Sequence, residues 1–289
     1  MAAALGTRPR PAAPERVLVA SDLSAAGDSA LRVALARAPR TGATVAVCHV
    51  LADDPAVDPA AAVEQVRAHL RDAFGSEAGA VEVLVAGGDP AEQIARLVDE
   101  WRANLVVLGR PEHPAGILRR LFRPGVVEQV VRHAPCRVLV TRKEPASGRV
   151  LIGVDADHPL PVLQAAVPEI ALRNAQLVVA HWIAPAGTGM TTLSDAAVPL
   201  VSWEDLVAAA LPPIEAAVRD AGLHADVRVM AGDAGRGLCE LATELAADLV
   251  LVGTHGRSGL ARLALGSVAE HVVNDAPCSV MVVRLDDAT

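Results

Sequence analysis

The chain runs twice through the same succession of motifs, and this internal repeat limits what it can fold into more than any other property. Arg16-Val-Leu-Val-Ala-Ser-Asp22 returns as Arg149-Val-Leu-Ile-Gly-Val-Asp155, each a short apolar run ending at an aspartate. Val45-Ala-Val-Cys-His49 answers to Leu177-Val-Val-Ala-His181, and Gly88-Asp89 to Gly232-Asp233. Asn104-Leu-Val-Val-Leu-Gly109 matches Asp248-Leu-Val-Leu-Val-Gly253, and Ala134-Pro-Cys136 matches Ala276-Pro-Cys278. A duplicated domain accounts for all five pairs. With 289 residues, each copy is long enough to bury a core of its own. The domains are expected at residues 15–142 and 149–285, after a flexible tail at 1–14. Arg142 to Gly148, with Pro145, Ser147 and Gly148, reads as the linker.

Within each copy, apolar runs alternate with helical patterns. Ile94, Leu97, Val98 and Trp101 recur as Leu238, Leu241, Ala242 and Leu245, the spacing of one apolar helix face. Asp89 and Asp233 stand where an aspartate caps the first free amides of these helices. Runs such as Leu105 to Leu108 and Leu249 to Val252 are apolar without alternation, as strands are when helices cover both faces of their sheet. The expected fold is therefore α/β: two tandem, doubly wound, parallel-sheet domains of Rossmann-like type. The Pro- and Asp-rich stretches Ala52 to Pro59 and Ala184 to Pro199 read as surface loops.

Composition excludes several partners. A formal charge of −8, three Trp, two Phe and no Tyr argue against nucleic acid, which needs basic surface and stacking rings. No apolar run approaches the ~20 residues of a membrane span, and the start lacks the apolar stretch of a secretory signal. A cytoplasmic protein is expected. Cys48, Cys136, Cys239 and Cys278 are scattered without CxxC or zinc spacing and read as reduced, buried thiols.

In an open parallel sheet, ligands bind outside the carboxyl ends of the strands, where Asp22, Asp155, Gly109 and Gly253 lie. The most informative stretch is Gly253-Thr-His-Gly256-Arg-Ser-Gly259-Leu-Ala-Arg-Leu-Ala-Leu-Gly266-Ser267. It is a glycine loop leaving a strand, then a Gly-Ser pair opening a helix with Val268, Val272 and Val273. Glycines let backbone amides approach an anion, and a helix N-terminus adds free donors and partial positive charge, so the pattern suits phosphate. An alternative stays open, because Ser267 and Glu270 also form an S-x-x-E capping box. The pattern is neither a Walker loop nor GxGxxG.

The stretch resembles the universal stress protein family, whose ATP-binding members carry G-x-x-G, nine residues, then G-S/T. Gly253, Gly256, Gly266 and Ser267 match it position for position, and the likeness extends from Arg16 to Arg284. It implies an adenine nucleotide alpha hydrolase-like fold that binds ATP, with or without Mg2+, and an aspartate after the first strand, here Asp155, on the adenosine. Asp22 is its counterpart in the first copy. It also implies pairing of last strands, here Arg137 to Thr141 with Ser279 to Val283, as an internal pseudo-dimer; a homodimer of the whole chain stays open. The first copy departs from the motif: Glu112 stands in for the second glycine and Pro124-Gly125 for Gly-Ser.

His255 and Arg257 flank the loop and are candidates for phosphate contact, against the alternative of solvated loop cations. His49 and His181 read as structural, and Glu240 and Glu244 as a charged outer face. The leading expectation is a nucleotide-binding stress-response module acting through a regulatory protein partner. An ATP-hydrolysing or nucleotidyl-transferring enzyme is the alternative, opposed by the absence of a general base or a phosphate-directed lysine. A structural interaction protein is the third.

Overall fold

Short apolar strands alternating with amphipathic helices build one sheet here. The computed structural model describes residues 14–51, 58–110, 125–142, 147–184, 202–254 and 265–284. The first copy contributes β1 (Arg16–Ala20), α1 (Ala25–Thr41), β2 (Thr44–Leu51), α2 (Pro59–Phe74), β3 (Glu82–Gly87), α3 (Pro90–Trp101), β4 (Leu105–Gly109), α4 (Val126–His133) and β5 (Arg137–Thr141). The second follows with β6 (Arg149–Gly153), α5 (Leu160–Arg173), β7 (Gln176–Ile183), α6 (Trp203–Asp220), β8 (Asp226–Ala231), α7 (Ala234–Glu244), β9 (Leu249–Gly253), α8 (Ser267–Asp275) and β10 (Ser279–Val283).

The strand order is β3-β2-β1-β4-β5-β10-β9-β6-β7-β8. Pairing is parallel within each half, and the halves join through an antiparallel β5–β10 seam, with Val280 opposite Val140 and Val282 opposite Val138. Successive strand residues face opposite sides, so Val17 and Val19 enter one core and Leu18 the other. Leu31, Val66, Leu163 and Ile214 of α1, α2, α5 and α6 pack on one face; Ile94, Val130, Leu238 and Val272 of α3, α4, α7 and α8 pack on the other.

Helix starts follow the sequence closely. Asp89 accepts from the amides of Ala91 and Glu92, and Asp233 from that of Arg236. The loop expected at 52–59 ends early, because Asp58 caps α2 and Pro59 takes the first helical position, where a missing N–H costs nothing. The rest of that stretch, and 185–201, lie outside the described residues. The linker is tied at its far end: Ser147 and Gly148 donate their amides to Asp248 at 3.0 and 2.6 Å.

Two polar joints lock the halves, one on each face. Between α1 and α5, Arg37 pairs with Glu15 at 2.6 Å and with the fully buried Glu169 at 2.7 Å, and Arg173 also reaches Glu169. Between α4 and α8, arginines following the last strands cross over. Arg142 donates to the carbonyls of Val273 and Asn274 at 2.9 and 2.8 Å, while Arg284 donates to those of Arg132 and Ala134 at 2.6 and 2.8 Å. Each guanidinium thus satisfies the last carbonyls of the other half's helix and meets the negative end of its dipole.

Candidate functional site

In each half the chain reverses direction across the sheet between its first and fourth strands, β1 and β4 or β6 and β9. Strand ends diverge there and open a crevice. Asp155, half-buried, lies two residues beyond β6, and its carboxylate accepts from the Asp157 amide at 3.2 Å. Asp22, exposed, accepts from the Ser24 amide at 3.0 Å, and Ser24 caps α1. Both loops are braced from the neighbouring strand. A ring nitrogen of His49 meets the Ser21 carbonyl at 2.8 Å, and one of His181 meets that of Val154 at 3.0 Å. These histidines are structural.

In the second half, β9 ends at Gly253, in register with Val283 of β10. Thr254, buried, donates its amide to Val283 at 2.9 Å and accepts the Gly266 amide on its carbonyl at 2.7 Å. Gly266 is thereby tied to Thr254, the residue that follows Gly253, at the entrance to α8. Gly256, His255 and Arg257 lie outside the described residues, as do Glu112 and Pro124.

The capping box is not formed. Gly266, extended at φ −63 and ψ 149, is the N-cap residue, and the cap carries no side-chain hydrogen bond. Ser267 is already the first helical residue, one position too late for its hydroxyl to meet the amides a cap serves. Glu270 instead faces Arg132 across the seam at 3.9 Å. The exposed Ser267 hydroxyl therefore stands at the positive end of α8 without a capping duty.

The first half differs in kind. Gly109 is pressed against the first turn of α1, so that a Cβ there would lie 1.9 Å from the Ala26 carbonyl oxygen. The next residue, Arg110, pairs with Glu128 at 2.9 Å and also donates to the Asn274 side chain and the Val273 carbonyl of α8. The other carboxylate oxygen of Glu128 lies 2.9 Å from where a Cβ on Gly125 would be. Both helices carry a glutamate in their first turn, Glu128 in α4 and Glu270 in α8, but Glu128 is held at 2.9 Å by Arg110 of its own half whereas Glu270 faces Arg132 across the seam at 3.9 Å. Sequence reading missed the Arg110–Glu128 pair. The signal was Arg110 standing where the second copy has Thr254; Glu128 gave none, because Glu270 occupies the matching place.

Chemistry at the cysteines is muted. Burial pushes the Cys48 and Cys278 thiols up to about 12 and Cys239 to about 11, so all three hold their protons at neutral pH. Cys239 is half-buried rather than buried. Among the described residues no cluster of His, Cys, Asp and Glu could hold a metal ion, and no helix is long and apolar enough to cross a membrane.

A family model described as the universal stress protein family matches residues 14–142 and again 147–284. A universal stress protein of Mycolicibacterium smegmatis is 28% identical over 300 residues, covering 93% of this chain and 96% of its own. Among solved structures, a putative universal stress protein from Pseudomonas aeruginosa superimposes with a TM-score of 0.69 at 21% identity, covering 96% of this chain and 95% of its own. One from Archaeoglobus fulgidus gives 0.66 at 16% identity, covering 94% and 99%.

Proposed function

The chain belongs to the universal stress protein family, and from that premise we propose that it is a cytoplasmic regulatory protein whose second half binds ATP. The observation that carries this reading is the 2.7 Å hydrogen bond from Gly266 to Thr254, which gathers both ends of the glycine loop at the start of α8. Backbone donors, the helix dipole and the Ser267 hydroxyl then converge on one place suited to a phosphate chain. Gly253, Gly256 and Gly266 are assigned, by their places in the motif, to backbone approach, and His255 and Arg257 are the candidates for phosphate contact. Asp155, across the crevice, is assigned to the nucleoside. A Mg2+ ion arriving with the nucleotide would draw most of its ligands from phosphate and water.

Asp22 and Gly109 form the counterpart in the first half, which we read as the weaker site because Glu112 stands in the place of the second motif glycine and Pro124-Gly125 in that of Gly-Ser. The role is binding rather than turnover. The chain's one lysine, Lys143, falls in the linker, so the site lacks a phosphate-directed lysine. The seam already uses β5 and β10 on each other, which makes the single chain a pseudo-dimer and leaves β3 and β8 as the sheet edges.

Denaturing the purified protein and identifying released nucleotide by mass spectrometry, followed by calorimetric titration with ATP and AMP, tests the reading. ATP binding at one tight site per chain is expected. No released nucleotide and no heat up to millimolar ATP would overturn it.

A further inference from the structure

The joining of the halves creates a cleft of about 690 Å3 that neither half could form alone. The first half supplies the end of α3, from Val98 to Asn104, and the lead into β5, from Pro135 to Arg137. The second supplies one side of α5 and the end of β10, Val283 and Arg284. We propose that this cleft is a second binding site, for a small organic anion with an apolar body.

The charge of the lining points to an anion. Arg102, Arg137 and Arg284 line the cleft, with Asp99 as the opposing carboxylate, in a chain whose formal charge is −8. Two of the arginines are held in place before any ligand arrives. Arg284 donates to the carbonyls of Ala134 and Arg132 at 2.8 and 2.6 Å, and Arg137 is ion-paired at 3.3 Å with Glu15, which Arg37 shares. Guanidinium groups fixed in this way lose little freedom on binding a carboxylate, sulfonate or phosphate. Arg102, exposed at the end of α3, is the adaptable member.

The apolar part of the lining favours a ligand with a body as well as a charge. Pro135, Pro161, Pro168, Ala165 and Val283 offer rigid apolar surface, and the volume falls within the range of small-molecule sites, roughly 300–1,000 Å3. Because its walls come from both halves, a ligand there holds the β5–β10 seam closed. Val283 is also the register partner of Gly253, so the cleft borders the crevice of the second half without sharing its glycine loop.

The test uses the full chain with ATP in saturating excess and the aromatic sulfonate 8-anilinonaphthalene-1-sulfonate as probe, followed by fluorescence. One saturable site is expected. Arg102→Asp, which keeps a residue tolerant of the φ of 52° at that position, should weaken the probe by about fivefold or more. Ala165→Trp should fill the cleft and abolish binding. Arg236→Glu, on an exposed face of α7, should leave it unchanged. Circular dichroism establishes that each variant is folded. The proposal fails if no saturable site is found, if Arg102→Asp binds like the parent, or if ATP displaces the probe completely. It does not rest on the nucleotide reading, since probe binding is expected whether or not ATP binds.

Discussion

Gly266→Asp should separate nucleotide binding from folding, because of where the glycine sits. Gly266 is the N-cap of α8 with an extended backbone that any residue adopts, and aspartate is a favoured cap. Asp233 already does this at α7, accepting the Arg236 amide at 2.8 Å. Stability should therefore hold or rise by a few tenths of a kcal/mol, about the difference between Gly and Asp at a cap. The same carboxylate would take the first-turn amides that a phosphate needs and repel its charge. A loss of about 2–4 kcal/mol, or about 30- to 900-fold in Kd, is expected. Gly125→Asp is the control. Its Cβ would lie 2.9 Å from a Glu128 oxygen, so two carboxylates would crowd the α4 start, costing about 1 kcal/mol of stability with ATP affinity unchanged. Titration calorimetry and thermal melts on both variants give the four numbers. Loss of binding in Gly125→Asp with binding intact in Gly266→Asp would refute the assignment of the site.

Three further outcomes follow from the packing. Gly109→Ala would drive a methyl to 1.9 Å from the Ala26 carbonyl, which is helix backbone, so unfolding free energy should fall by about 2–3 kcal/mol; a melting point equal to the parent's would contradict this. Glu169→Ala leaves Arg37 and Arg173 without their shared buried partner and should cost about 3–5 kcal/mol in urea unfolding, whereas Glu169→Gln, which keeps a hydrogen-bond acceptor between the two guanidiniums, should cost less; equal losses in both would count against this account. At Glu15, burial acts to raise the carboxyl pKa, but the hydrogen bond and charge of Arg37, with the charge of Arg137, hold it below its ordinary 4.5. Its contribution is complete above that value and lost as pH falls through the lower folded one, so Glu15→Gln should flatten the stability loss on acidification below 4.5; unchanged acid sensitivity would contradict it.

Much of the architecture is local and so was legible. The repeat, the unalternating strands and the aspartate caps at Asp89 and Asp233 depend on neighbours in sequence, and period and capping chemistry suffice to read them. The glycine spacing around 253 and 266 was legible as well, because its pattern is dictated by close backbone approach. The position of the cap was not. Gly-Ser followed by Glu270 satisfies the capping-box pattern, yet tertiary contact fixed Gly266 on the Thr254 carbonyl and drew Glu270 toward Arg132, leaving Ser267 one residue inside the helix. The contrast between the halves was legible only in outline. Glu112 and Pro124 marked the first copy as different, but the carboxylate beside α4 belongs to Glu128, held by an arginine 18 residues away. The crossing of Arg142 to Asn274 spans 132 residues, and the Arg37–Glu169 pair likewise joins one copy to the other. A periodic pattern records which face of an element is buried. Which charged side chains meet is decided only when the antiparallel seam brings the two copies together.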